Sequence, residues 1–252
     1  MKKSFLAILM LLLLVTTVVS QQKAWAEWSK AEAEKILIHS ALAQTQIDTA
    51  TKEMVYTPTS PRDPGAGTRT ENTRGLTDNQ AINNNRMVQG ATNQALSVNY
   101  HVRLLSAKPV RQAFMRVIEI TQNPDKATLK GLRAFVDRDF AEYIVVAVTF
   151  DSSDGRYSGP VAQAFASATL GTLKNKTYLE RRDGKRLFLT EYQAPINDGL
   201  GAKFIFPRVV EDKNFLDADS GSVRFYAEVG ATTKLNVTFK MSELMYGGQL
   251  EY

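Results

Sequence analysis

The 252-residue chain has no cysteine, two histidines and two tryptophans. Without cysteine there is no disulfide scaffold, thiolate zinc site, iron–sulfur cluster or cysteine nucleophile. His39 and His101 are the only imidazoles, and neither sits in an H-E-x-x-H or H-x-H spacing, so no local zinc-enzyme pattern exists. Glycine-rich phosphate loops and the G-x-S-x-G elbow are also missing, which leaves nucleotide binding and serine hydrolysis without a local signature. No cofactor is expected. Lys and Arg are dispersed rather than clustered, so nucleic acid is not an expected partner.

One long apolar run is present. Lys2 and Lys3 precede Phe5 to Val19, followed by small and polar residues, the order of a secretory leader. Fifteen residues fall short of the roughly 20 that a helix needs to span a bilayer. Cleavage is expected after Ser20 or after Ala26, and the A-x-A pattern Ala24-Trp25-Ala26 favours the second; uncleaved, the leader would tether the chain to a membrane. Cleavage after Ala26 removes Lys2, Lys3 and Lys23 and leaves 28 basic against 26 acidic side chains, so the excess of positive charge belongs largely to the leader. An exported chain without cysteine suits a bacterial periplasmic or extracellular protein.

Beyond residue 26 the pattern divides into three parts. Ser29 and Glu32 have capping-box spacing and open a helix to about residue 43, and residues 44–56 read as an edge strand. Residues 57–94 hold Pro58, Pro61 and Pro64, then Gly65, Gly67 and Gly75, and the Asn83–Asn85 run, with too few apolar residues to offset ordering entropy, and read as a long polar loop. Residues 95–252 read as the main domain. There Val98, Tyr100, Val102 and Leu104 alternate as a half-buried strand, and Lys108-Pro109 opens a helix. Asn123-Pro124 caps another helix, whose Ala127, Leu129, Leu132, Phe135 and Val136 are expected to face inward. Residues 143–150 are apolar on both faces, as in a central covered strand. Ser158-Gly159-Pro160 begins a third helix, Asp183-Gly184 reads as a type I′ hairpin, and two alternating strands fill residues 223–241. The expected fold is α+β: a mostly antiparallel sheet, ending in a strand meander, with about four helices packed chiefly on one face.

Candidate chemistry is sparse. Arg103, Lys108 and Arg111 flank a strand-to-helix turn, where they could meet an anion. Asp151-Ser-Ser-Asp154-Gly155 follows the central strand and offers carboxylates and hydroxyls to a ligand, although these are also ordinary turn residues. Asp217 and Asp219 resemble a truncated calcium loop that lacks its closing Glu. Asp137 with Asp139, and Glu180 with Glu191, are candidate carboxylate pairs of the kind that glycoside hydrolysis uses.

The segments WSKAEAEKIL, YHVRLLSAKPVRQA (residues 100–113) and FKMSELMYGG resemble exported bacterial proteins without an assigned activity. That resemblance implies export and a similar fold, and it brings no functional residues. The expected function is a non-enzymatic binding or structural module of the cell envelope, with a protein or envelope component as partner. The alternatives are an extracellular hydrolase whose carboxylates are gathered by the fold, and a small-ligand carrier.

Overall fold

The structure, a computed structural model, describes residues 23–49, 97–152 and 155–252. Residues 1–22 of the expected leader, residues 50–56 of the expected edge strand, the expected polar loop and Asp154 therefore lie outside the described residues. The α+β class holds: among the described residues, five α-helices accompany two main antiparallel sheets.

Helix α1 (Lys30–Ile38) starts on the expected capping box, with the Ser29 hydroxyl accepting from the Glu32 N–H and the Ser29 N–H donating to the Glu32 carboxylate at 2.6 Å. It ends five residues earlier than the periodicity suggests. Ser40 donates its hydroxyl to the Ile36 carbonyl, and the chain turns into strand β1 (Ala43–Thr49). Strand β2 (Ser97–Leu104) buries every second residue as its alternation demands. Helix α2 (Lys108–Gln122) has proline in its first turn and stops at Asn123, which takes a left-handed conformation (φ 43°). Asn123 thus ends one helix rather than starting the next. Asp125 caps α3 (Lys126–Val136), accepting from the Thr128 N–H at 2.7 Å. Of the five α3 residues expected to face inward, only Val136 is buried.

Strand β3 (Tyr143–Ser152) is buried from Ile144 to Val148 and lies at the centre of the larger sheet, as its two apolar faces require. Helix α4 (Gly155–Ser167) begins three residues before Ser158, so Pro160 falls inside it. A one-turn helix α5 (Leu170–Leu173) leads into β4 (Thr177–Arg181), β5 (Arg186–Phe188), β6 (Glu191–Gln193) and β7 (Ala202–Pro207). The β4–β5 connection is a three-residue loop: Gly184 donates to the Arg181 carbonyl and alone takes positive φ (83°). A type I′ turn needs positive φ at both central residues, and Asp183 does not adopt it. Two consecutive positive-φ residues occur instead at Glu211 and Asp212, between β8 (Val209–Val210) and β9 (Lys213–Asn214). Strands β10 (Ser222–Val229) and β11 (Thr233–Lys240) form the expected meander, and a small hairpin, β12 (Met245–Tyr246) with β13 (Gln249–Leu250), follows.

The first sheet has strand order β1-β2-β3-β7-β6 and the second β11-β10-β4-β5. Their inner faces share one core. Phe225 of the second sheet meets Phe204 and Phe206 of the first at centroid distances of 5.3 and 6.3 Å. Along one side the chain passes directly from β5 to β6 and so from sheet to sheet. On the other, the Gln46 side chain of β1 donates to the Lys234 carbonyl (2.7 Å) and accepts from the Asn236 N–H (2.8 Å). One amide side chain thereby stands in for a ladder rung between β1 and β11. Helix α4 covers part of this inner layer, with Phe165 stacked on Phe150 at 5.5 Å. Gly201 has to be glycine: its φ is +79°, and a Cβ would lie 2.2 Å from the Val148 carbonyl oxygen.

Helices α1 and α2 pack side by side on the outer face of the first sheet, with α3 against α2. From β2, Arg103 reaches α1 and donates to the Leu37 carbonyl. Beside this roof, Val145 of β3 and Ile205 of β7 line a hollow on the outer face that Phe135 of α3 also borders.

Candidate functional site

The hollow over β3, β7 and β6 is, among the described residues, a groove of about 670 Å³. Its floor is apolar, from Leu105, Val145 and Ile205, with Phe135, Phe140 and Tyr143 beside them. The wall is the loop joining α3 to β3, which supplies Arg138, Asp139 and Glu142, and the opposite rim carries Glu191 and Gln193 of β6 and Lys203 of β7. Strand alternation explains the division. Val145 and Ile205 are in register and point outward, on the same face as Glu191, which pairs with Ile205.

Two guanidiniums build that wall, Arg111 buried and Arg208 half-buried. Arg111 is 4% exposed and spends its donors on the carbonyls of Leu105, Ser106, Val136 and Arg138, with its plane 4.5 Å from the Phe140 ring centroid. Burial pulls its pKa down to about 10, so it stays cationic at neutral pH. Arg208 donates to the Phe140 carbonyl and to the Tyr252 main-chain oxygen, and lies over the Tyr252 ring. Pinned from both sides, the segment from Arg138 to Ala141 forms a ridge that also borders a second hollow of about 530 Å³.

The expected anion site does not assemble. Lys108 and Arg111 line the second hollow, whereas Arg103 lies under α1 with its donors on Leu37 and Thr149. Desolvation lowers the Arg103 pKa to about 10 as well. Lys108 pairs with Asp137 at 3.6 Å, and its main-chain N–H donates to Glu251. These cations hold the fold together, and arginine suits that task because its planar fork serves several carbonyls at once.

Asp151 joins a different group. Its carboxylate lies 2.5 Å from His101 Nε2 and accepts from the Asn99 amide at 2.9 Å, while His101 Nδ1 lies 3.0 Å from the Thr45 hydroxyl. Partial burial opposes the charge on Asp151, but the bonds from His101 and Asn99 outweigh it and hold the carboxyl below its usual range. The chain of contacts runs across β1, β2 and β3, joining residues 50 and 56 apart, and no local motif announces it. A nucleophilic reading of Thr45 meets an obstacle: acyl transfer needs N–H donors aimed at a developing oxyanion, and the residues around Thr45 form a continuous strand ladder.

Asp217 and Asp219 lie at a short 3-10 turn, where the Asp217 carboxylate accepts from the Ser220 hydroxyl at 2.7 Å. Among the described residues no group of three or more His, Asp or Glu is placed to hold a metal ion. Glu180 and Glu191 are separated: Glu180 pairs with Arg186 and Arg224 on the second sheet, and Glu191 faces the groove. Asp139 faces that groove too, so the fold gathers Asp139, Glu142 and Glu191 there, a grouping that sequence spacing does not show.

No protein-family model, curated protein or solved structure matches this chain.

Proposed function

We propose that the chain is an exported, non-enzymatic binding module of the bacterial cell envelope, and that the groove over β7 and β6 receives its partner. The carrying observation is the groove itself: an apolar floor left open beside a rim of charged side chains, on a sheet whose other half is roofed by helices. A volume of this size lies within the roughly 300–1,000 Å³ typical of ligand sites. Export rests on the leader pattern. The packing of Trp25 against the core and the Lys23–Glu32 ion pair at 2.9 Å favour keeping residues 23–28 in the mature chain, hence cleavage after Ser20. N-terminal sequencing of the exported protein is expected to begin at Gln21, and a start at Glu27 would refute that assignment.

The test of the binding role is a photo-crosslinking residue in place of Tyr143, on the groove, and a control in place of Lys240, on the second sheet, each in the native cell envelope. One reproducible protein partner from position 143 and none from position 240 is expected. The hydrolase reading has one observation in its favour, the three carboxylates on the groove. Turnover of an envelope polymer by the pure protein, abolished by Glu142→Gln or Glu191→Gln, would overturn the non-enzymatic role.

A further inference from the structure

We infer that the groove accepts an extended peptide segment with a Lys or Arg beside an apolar side chain; this rests on the groove being the binding site proposed above. The first argument is charge balance. Five charged residues line the groove, and Lys203 is neutralised by Asp198 at 2.7 Å. Arg138 then stands against Asp139, Glu142 and Glu191. Among the described residues no cation forms an ion pair with any of these three carboxylates. Asp139 accepts from the Ala141 N–H and Glu191 from the Gln193 amide, both neutral donors. Counted over its lining side chains the groove is acidic by two charges, and because the buried Arg111 acts on Asp139 from behind the wall, Glu142 and Glu191 are the carboxylates left to a ligand over the apolar floor. Close to such a floor the effective dielectric falls, so a cation gains more there than at an open surface, and an anion is repelled.

The second argument is shape and hydrogen bonding. Alternate side chains of an extended peptide project from one face about 7 Å apart. That spacing lets one apolar side chain rest on Val145 and Ile205 while its neighbour on the same face reaches the acidic rim. Peptide main-chain groups also need partners, and the rim supplies one in the exposed Gln193 carboxamide, whose oxygen can accept from a peptide N–H above the sheet face. A bare amine would use the rim alone and a lipid tail the floor alone.

The probe is a fluorescently labelled pentapeptide of sequence glycine–leucine–glycine–lysine–glycine, which sets leucine and lysine on one face of an extended chain, compared by anisotropy with the counterpart carrying glutamate in place of lysine. The lysine peptide is expected to bind at least about tenfold more tightly, and raising the salt to about 0.5 M should remove most of that preference. Glu142→Gln with Glu191→Gln should cost the lysine peptide about tenfold in Kd while leaving the melting temperature near that of the parent, because both side chains are exposed. Equal or tighter binding of the glutamate peptide, or a double variant with unchanged affinity, overturns the inference. Capture of a partner from position 143 with no binding of the lysine peptide overturns this inference and spares the binding role. Failure of both removes the two together.

Discussion

The two sheets expose outer faces of opposite character. On the second sheet the outward residues close their charges within the plane. Glu180 is bracketed by Arg186 at 2.5 Å and Arg224 at 2.8 Å, and Glu228 lies near Lys176 and Lys234. Tyr178 stacks on Tyr226 at 5.1 Å with Arg186 above it at 4.4 Å. Glu180 with Arg186 and with Arg224, Glu228 with Lys234, and Tyr178 with Tyr226 are cross-strand pairs in register, each worth a fraction of a kcal/mol to about 1 kcal/mol, and they leave little for a partner to satisfy. On the first sheet the open half does the reverse: Glu142 and Glu191 stand beside an apolar floor and, among the described residues, form no ion pair. An exposed sheet face therefore carries no functional message by itself. The message lies in whether its charges are already matched.

That contrast presupposes that both sheets share one core, and Phe225 is the residue that joins them. It is fully buried between Phe204 and Phe206. Phe225→Ala is expected to destabilise the protein by about 3–5 kcal/mol in urea denaturation. A loss below about 1 kcal/mol would mean the two sheets are stabilised separately.

The next largest effect concerns the wall of the groove. Arg111→Leu leaves carbonyls at Leu105, Ser106, Val136 and Arg138 without their donor, at an expected cost of about 3 kcal/mol. Arg111→Lys should recover little of it, since an ammonium cannot fork toward carbonyls on several sides. If the ridge depends on Arg111, crosslinking from position 143 falls in both variants even at temperatures where they remain folded. Full retention of crosslinking would show that the ridge stands without it.

The elements were legible in the sequence wherever one physical preference dominated. The strict alternation of residues 223–229 and 235–239 admits only half-buried strands, and the Ser29–Glu32 box fixes a helix start. Errors arose where two preferences competed locally. Asp183-Gly184 serves a type I′ turn or a three-residue loop with Gly184 left-handed, and Asn123 serves as either kind of cap, so the flanking backbone decides. The site was less legible than the fold. Arg111 reads as an exposed basic residue until the α3–β3 loop folds over it. His101 meets Asp151 only through the β2–β3 register, and Asp139, Glu142 and Glu191 meet only after the order β3-β7-β6 is set. Long-range pairing of that kind has no periodicity to betray it.

A smaller effect tests the seam between the sheets. Gln46→Leu removes both bonds from β1 to β11 and should cost about 1–2 kcal/mol, because the Lys234 carbonyl and Asn236 N–H at this exposed edge regain water. Faster amide exchange at Asn236, with little change along β10, would locate the loss at the seam. Uniform protection along β11 would show that the side-chain rung contributes nothing.

The smallest effect sharpens the difference between the two faces by pH. The hydrogen bond from Arg186, followed by that from Arg224, outweighs desolvation and holds the Glu180 carboxyl below its ordinary range. A lowered folded-state pKa adds stability that is complete above the unfolded value of about 4.3 and is lost as pH falls through the folded value. The parent should therefore lose slightly more stability than Glu180→Gln between neutral pH and acid, by an amount that shrinks as salt screens this exposed pair. The same substitution should leave binding of the lysine peptide unchanged, since Glu180 is already matched and lies away from the groove. If Glu180→Gln weakened that binding as much as Glu191→Gln does, net charge rather than unmatched charge would govern recognition, and the distinction between the two faces would fail.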